Sequence, residues 1–308
     1  MLDELLAGIR QKDRRALARL ITVASRGEHL DQLRSQLGPA GKPAIVVAFT
    51  GGGGVGKSSL VGKLIEKLRD HGKSVAVLAC DPESPLTGGA LLGDRFRMPS
   101  RPDDAGVYIR SLAAVPGRQA VGEHLDTIIL ICEQFGFDFV LIETVGAGQG
   151  DTAVRSMADA VVLLLQPETG DELQWEKAGV LEVADAIVIH KADLPGADRA
   201  AAQVKAALEL SGGHGVPVLQ VSSRTGAGLD ELATFVESTP KRARTEADAA
   251  TELLKLAQEE LARRFGRPEV TGIVSDWKAG NLATAEAIRR VLASGASDGP
   301  GNNQRPGA

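Results

Sequence analysis

The sequence predicts an α/β protein built on a mainly parallel β-sheet with helices on both faces. Two observations carry that class. Apolar runs of strand length, among them Ile45 to Thr50, Phe139 to Glu143, Ala160 to Gln166 and Ala186 to His190, alternate with amphipathic helical stretches. Strands covered on both faces read as continuous apolar runs of this kind. In addition, a glycine-rich turn, GGGGVGKS at Gly51 to Ser58, lies directly between the first of these strands and the helical stretch Ser58 to Asp70. In such sheets ligands bind beyond the carboxyl ends of the strands, and the chemistry-bearing residues below all fall there.

The elements follow in order. Asp13 is placed to cap a helix, and Leu17, Leu20, Ile21 and Ala24 then recur at helical spacing, so residues 1–40 read as an arm of short amphipathic helices that ends at Gly38-Pro39-Ala40-Gly41. Residues 41–240 hold the alternating domain. Strand Ile45 to Thr50 leads to helix Ser58 to Asp70, closed by Gly72, and then to strand Ser74 to Cys80. After a section read as irregular come a helix from about Gly122 to Gln134 and the strands Phe139 to Glu143, Ala160 to Gln166, Ala186 to His190 and Pro217 to Val221. Residues 241–294 read as a C-terminal helical extension with two apolar stripes, Leu253, Leu254, Ala257, Leu261 and Phe265, then Ile288, Val291 and Leu292. These stripes could pack on the preceding domain or form a partner surface. Residues 295–308, rich in Gly, Pro and Asn, read as a disordered tail.

Composition narrows the function classes. Hydrophobic residues make up 43% of the 308 and aromatics only 3%, so the core must be aliphatic. The net charge of −5, with no long Lys/Arg cluster, argues against a nucleic-acid partner. Cys80 and Cys132 each sit in an apolar stretch and read as core residues in a reducing, cytoplasmic setting. Asp3, Glu4 and Asp13 near the start exclude a signal-peptide reading, and no run approaches the roughly 20 apolar residues of a membrane helix.

The glycine-rich turn is the strongest chemical signal. Strand, glycine-rich loop and helix in that order form a P-loop, in which the backbone N–H groups of Gly53, Gly54, Val55 and Gly56 wrap a β-phosphate. Lys57 would then reach the β and γ phosphates, and Ser58, followed by Ser59, would open the helix with its hydroxyl on Mg²⁺. Such a site needs a further carboxylate near the metal and a backbone N–H at the γ-phosphate. The segment Glu143-Thr144-Val145-Gly146 supplies both, with Glu143 at a strand end and the Gly146 N–H beyond it. For the base, His190-Lys191-Ala192-Asp193 has the form of a guanine-reading NKxD motif with His in the first place. Asp193 can accept from guanine N1–H and N2–H₂, which adenine lacks, so GTP is the expected ligand and adenine would leave the carboxylate unpaired. Ser222 and Ser223, at the end of the next strand, suit the loop whose backbone N–H meets guanine O6. An imidazole at 190 can replace only part of an asparagine's pairing.

With these segments in hand, the chain resembles the MeaB/ArgK group of P-loop GTPases, chaperones of adenosylcobalamin-dependent acyl-CoA mutases such as methylmalonyl-CoA mutase. The matching strings are FTGGGGVGKSSL (49–60), CDPESPLTGGALLGDRFRM (80–98), ETVGAGQGDTAV (143–154), QPETGDELQWEKAGVLEVAD (166–185) and HKAD (190–193). The arm segment DRRALARLI (13–21) is also similar, and the resemblance thins after about residue 240. The P-loop and GGALLGDR strings look like the GTPase domain of fused isobutyryl-CoA mutases too, although no cobalamin-binding DxHxxG string is present here. The resemblance implies that Asp81, Asp94 and Glu143 act with Lys57 around Mg²⁺ and the attacking water, some through water. It also implies that Gly88 to Met98 is a switch and that Pro167 to Lys177 reports the nucleotide state to a separate mutase partner. It leaves room for a homodimer. Ala147 stands where a water-orienting Gln is common, with Gln149 as a weak substitute, so hydrolysis to GDP is expected to be slow without a partner.

Three other readings compete with a chaperone that gates cofactor loading and protects or reactivates its mutase. A nickel or cobalt insertion GTPase would usually carry His-rich tracts, whereas His29, His71, His124, His190 and His214 are scattered. A small-molecule kinase using GTP or ATP would need an acceptor pocket and a basic lid, for which Arg95 and Arg97 are available. A nucleotide-dependent scaffold would bind GTP without turnover.

Overall fold

The computed structural model describes residues 2–38, 40–82, 104–114, 124–145, 154–167, 184–211, 215–243, 250, 253–254, 257–258, 261, 264–265 and 267–294. It divides into two units, Met1–Arg242 and Ala243–Ala308.

The first unit opens with three helices, α1 (Leu2–Arg10), α2 (Arg14–Ser25) and α3 (Leu30–Leu37). Asp13 caps α2 through its carboxylate, which accepts from the Arg15 backbone N–H at 2.8 Å. The alternating part then runs β1 (Ile45–Gly51), α4 (Lys57–Asp70), β2 (Val75–Pro82), β3 (Val107–Ala114), α5 (Leu125–Phe135), β4 (Phe139–Glu143), β5 (Ala160–Leu165), β6 (Ala186–His190), α6 (Ala197–Ser211), β7 (Val218–Val221) and α7 (Leu229–Ser238). The seven strands form one sheet in the order β3-β2-β4-β1-β5-β6-β7, and every pairing is parallel. β1 lies between β4 and β5, so the direction of strand addition reverses at its carboxyl end, the place where such sheets open a ligand crevice.

Alternation along each strand assigns its side chains to two layers. Ala48, Leu78, Val140 and Ile142 face a core completed by Leu17, Leu20 and Ile21 of α2, Leu33 of α3 and Ile128 and Cys132 of α5. Each of these helix residues is fully buried, and burying one aliphatic side chain of that size contributes about 1.5–3 kcal/mol. The N-terminal helices are therefore held by the same core as the sheet. Val47, Phe49, Val77 and Leu141 face the opposite core, with Leu60, Leu64 and Leu68 of α4 and Leu232 and Val236 of α7. α6 covers Leu163, Ile187 and Ile189 through Ala201 and Val204.

The structure corrects the sequence reading in two places. The section taken as irregular contains β3, VYIRSLAA, at the edge of the sheet. Its Tyr108, Arg110 and Ser111 interrupt the apolar run, because an edge strand need not be buried on both sides. The C-terminal extension contains α8 (Pro268–Lys278), which starts with proline in its first turn and was not anticipated, before α9 (Thr284–Ala293) covers the second stripe. Within that second unit Leu253, Leu254, Phe265, Ile288 and Leu292 are all more than half exposed, while Val270 and Val291 are buried. Cys80 and Cys132 are both buried, and burial pushes the Cys132 thiol up. Among the described residues no helix is long and apolar enough to cross a membrane.

Candidate functional site

The site is built at the carboxyl ends of β1, β2, β4, β6 and β7. At its centre the loop 52–56 joins β1 to α4. Gly51 and Gly56 are glycines that both the backbone conformation and the neighbouring atoms require. Gly51 has φ 146°, and a Cβ there would lie 2.4 Å from the Leu164 carbonyl oxygen of the neighbouring strand. Gly56 has φ 98°, and a Cβ there would lie 2.6 Å from His190 Cε1. Both conformations are those that side-chain-bearing residues avoid. Gly54 is also left-handed, φ 73°, but a Cβ on it or on Gly53 would meet no non-adjacent residue within 4 Å, which leaves room over the loop backbone. Gly56 caps α4 without any side-chain hydrogen bond, so the first amides of that helix face the loop as a helix N-terminus suited to an anion.

Lys57 and Ser58 are buried in the first turn of α4. Lys57 Nζ donates to the carbonyls of Gly51 at 3.0 Å and Gly52 at 3.3 Å, curling back over the loop. The Ser58 hydroxyl donates to Glu143 Oε1 at 2.7 Å. Register explains why these groups meet. Glu143 lies opposite both Phe49 and Ala79, which belong to the α4 layer, and Asp81 is two residues beyond Ala79 on the same face of β2. Glu143 is 3% exposed and Asp81 4%. Two buried carboxylates and a hydroxyl on one side of the sheet are a hard oxygen donor set, of the sort that holds Mg²⁺ together with phosphate oxygens and water. The donor chemistry therefore fits that ion. Among the described residues there is no group of three or more His, Cys, Asp or Glu side chains that could hold a metal ion on its own.

The base end lies beyond β6 and β7. His190, Lys191, Asp193, Leu194, Ser223 and Arg224 line an open pocket of about 280 Å³. His190 is the last residue of β6, paired with Val221, and is 3% exposed. Its Nδ1 lies 2.7 Å from the Val55 carbonyl oxygen and its Nε2 lies 2.8 Å from Ser223 Oγ. Because a carbonyl can only accept, Nδ1 carries the proton and Nε2 accepts from the serine hydroxyl. The neutral ring that this requires is favoured. Burial lowers the His190 pKa, reinforced by the Lys191 ammonium and opposed by the Val55 contact and the Asp193 carboxylate. Lys191 takes a left-handed backbone conformation, φ 57°, and its Nζ donates to the Gly54 carbonyl at 3.2 Å and to Gln166 Oε1 at 2.8 Å. Asp193 is held from both sides. The Ser222 hydroxyl donates to Oδ1, and Arg224 Nη2 lies 2.7 Å from Oδ2. The hydroxyl is the main cause that keeps the Asp193 carboxyl below its ordinary pKa, with Arg224 adding to it against burial.

Of the residues singled out from sequence, Gly53, Gly54, Val55, Gly56, Lys57, Ser58, Ser59, Asp81 and Glu143 thus cluster at one end, and His190, Lys191, Asp193, Ser222 and Ser223 at the other. Asp94, Gly146, Ala147, Gln149, the segment Gly88 to Met98 and all but the first residue of Pro167 to Lys177 lie outside the described residues. Arg224 and Gln166 were not foreseen. Arg224 directly follows the serine pair, so its nearness to the pocket was readable in principle. The Gln166 contact depends on Lys191 turning back across the sheet, which no local pattern encodes.

Comparison with known proteins places the chain in a family and a fold. Residues 17–276 match the family model described as methylmalonyl Co-A mutase-associated GTPase MeaB. A Pyrococcus abyssi protein whose name is that of a GTPase is 40% identical over 239 residues, covering 75% of this chain and 74% of that protein. The fused isobutyryl-CoA mutase of Cupriavidus metallidurans is 40% identical over 204 residues, 65% of this chain but only 18% of that much longer protein. Among solved structures, a LAO/AO transport system kinase superposes with a TM-score of 0.62 at 24% identity, over 95% of this chain and 97% of that one, a likeness of fold. By the span of the family model and the identity of these relatives, this chain belongs to the MeaB family of GTPases.

Proposed function

We propose that this protein binds GTP with Mg²⁺, hydrolyses it slowly alone, and uses the cycle to gate cofactor loading and to protect or reactivate an adenosylcobalamin-dependent acyl-CoA mutase. The observation that carries the nucleotide half is the joint construction of the two ends of the site. A buried Lys57, Ser58 and Glu143 stand at the phosphate loop, a carboxylate suited to guanine stands at Asp193, and His190 is bonded to both loops. The family description and the fused relative support a mutase as the partner.

In this reading the incoming triphosphate takes over Lys57 from the Gly51 and Gly52 carbonyls, and the loop amides of Gly53 to Gly56 hold its β-phosphate. Ser58 and Glu143, with Asp81 and Asp94, would hold Mg²⁺, which neutralises charge developing between the β and γ phosphates. Asp193 accepts from the guanine N1–H and N2–H₂ once Arg224 releases Oδ2, and the Ser223 backbone N–H serves O6. Gly146 and the loops at 88–98 and 167–177 are assigned to sensing the γ-phosphate and presenting its state to the mutase, as order-to-disorder switches.

The test is GTP turnover by the purified protein, measured alone and with adenosylcobalamin-dependent acyl-CoA mutases added in turn. Slow turnover that one of them accelerates is the expected outcome. A rate unchanged by every such mutase removes the partner half of the reading, and preference for ATP over GTP removes the nucleotide half.

A further inference from the structure

Guanine presents more than its N1 edge. Its N7 is a hydrogen-bond acceptor on the opposite ring, and a protein reads it only by aiming a donor at it. His190 stands at the inner wall of the base pocket, between Asp193 and the phosphate loop, where such a donor would be expected.

A neutral imidazole has one donor and one acceptor and nothing more. Both are used here. Nδ1–H donates to the Val55 carbonyl at 2.7 Å, and Nε2 accepts from the Ser223 hydroxyl at 2.8 Å, which also spends the proton of that serine. An asparagine in the same place would make the same two contacts with one amide N–H and its carbonyl oxygen, and would keep a second N–H for the base. The two cations that line the pocket, Lys191 and Arg224, are held elsewhere. Lys191 Nζ gives two of its three N–H groups to Gly54 and Gln166, which anchor it at the phosphate loop, and Arg224 meets Asp193 at the end that takes the N1 edge. Gly56 packs closely along one side of the ring, since a Cβ there would lie 2.6 Å from Cε1, and the two hydrogen bonds fix the ring at both nitrogens.

We propose that His190 spends its whole hydrogen-bonding capacity on clasping the phosphate loop to the β7 loop, so that purine N7 goes unread and a guanine nucleotide lacking that nitrogen binds as tightly as GDP. His190 is in this sense a positioning residue. The inference rests on the guanine reading above, deepening it by assigning discrimination to the Asp193 edge alone.

The experiment compares dissociation constants of GDP, 7-deaza-GDP and ADP on the Mg²⁺-supplemented full chain, by competition against a fluorescent GDP. The expected result is 7-deaza-GDP within about threefold of GDP, with His190→Asn opening a gap of about fivefold or more in favour of GDP, the weight of one recovered hydrogen bond. Imidazole ¹⁵N spectra of the unmodified protein should show a protonated Nδ1 and a bare, accepting Nε2. A wild-type loss beyond about threefold for 7-deaza-GDP overturns the proposal, as does a protonated Nε2 or a folded His190→Asn variant that shows no gap. If that variant does not fold, the wild-type comparison and the spectrum decide. Should GDP bind no better than ADP, the guanine reading fails and this inference with it, a result distinct from a GDP preference that includes N7.

Discussion

The phosphate end and the base end of the site solve opposite electrostatic problems. At the phosphate end Lys57, Ser58, Asp81 and Glu143 are at most 8% exposed beside a loop of glycines. Burial strengthens electrostatic interactions, so a ligand that brings charge of its own would be held strongly at this end. At the base end the carboxylate of Asp193 lies in an open pocket against Arg224, whose side chain is 74% exposed, and water can share the work. In the proposed reading affinity and selectivity are separable: buried groups would grip the phosphates, while a partly solvated carboxylate would choose the base. His190 is where the two meet.

The largest effect that would break this contrast is expected from Lys57→Ala. Removing the cation from a buried end should lower kcat/KM for GTP by about 10²–10³, as loss of a preorganised transition-state donor does, and steady-state hydrolysis will measure it. Next comes Asp193→Asn, which exchanges an acceptor for a donor facing guanine N2. GTP affinity should fall by about tenfold to a hundredfold, the weight of one or two hydrogen bonds, while xanthosine triphosphate gains, and the phosphate end should still hold either. Competition binding with both nucleotides reads this directly.

Titration sharpens the comparison at the junction. His190 has a lowered pKa in the fold, so above the unfolded value of about 6.5 both states carry it neutral and it contributes no pH dependence. As pH falls through that value the unfolded chain takes up a proton that the folded one refuses, and stability declines until the folded pKa is passed. Denaturant melts of the nucleotide-free protein between pH 7.5 and 5 should show this decline, and His190→Asn should flatten it. The smallest effect belongs to Arg224→Ala. An ion pair whose arginine is largely in water is worth about 0–1 kcal/mol, so thermal stability should move little, and a large loss would show that the base end is more closed than the exposure of Arg224 implies.

Where sequence reading succeeded, the physics was local. β4 and β6 could be bounded to the residue because strands buried on both faces leave unbroken apolar runs, and the phosphate loop declares itself through glycines needed at fixed places. β3 escaped because Tyr108, Arg110 and Ser111 on an edge strand erase that run, and α8 because PEVTGIVSDWK carries no clean stripe and buries only Val270. At the site, residue types were legible but bonding was not. That His190 has no capacity left follows only from the positions of Val55 and Ser223, which the fold brings to it from both sides. Arg224 shows the same limit, since its partner Asp193 comes from the end of another strand.

One consequence of the strand order concerns synthesis. β1 is the central strand, yet its partners are β4, where Ile45 meets Phe139, and β5, where Val47 meets Ala160. A nascent chain therefore carries an apolar ribbon with both edges bare until those distant segments leave the ribosome, and such ribbons pair readily with strangers. Long-range parallel closure of this kind is slow, so the interval before β4 and β5 emerge is when this polypeptide is most exposed to misassembly.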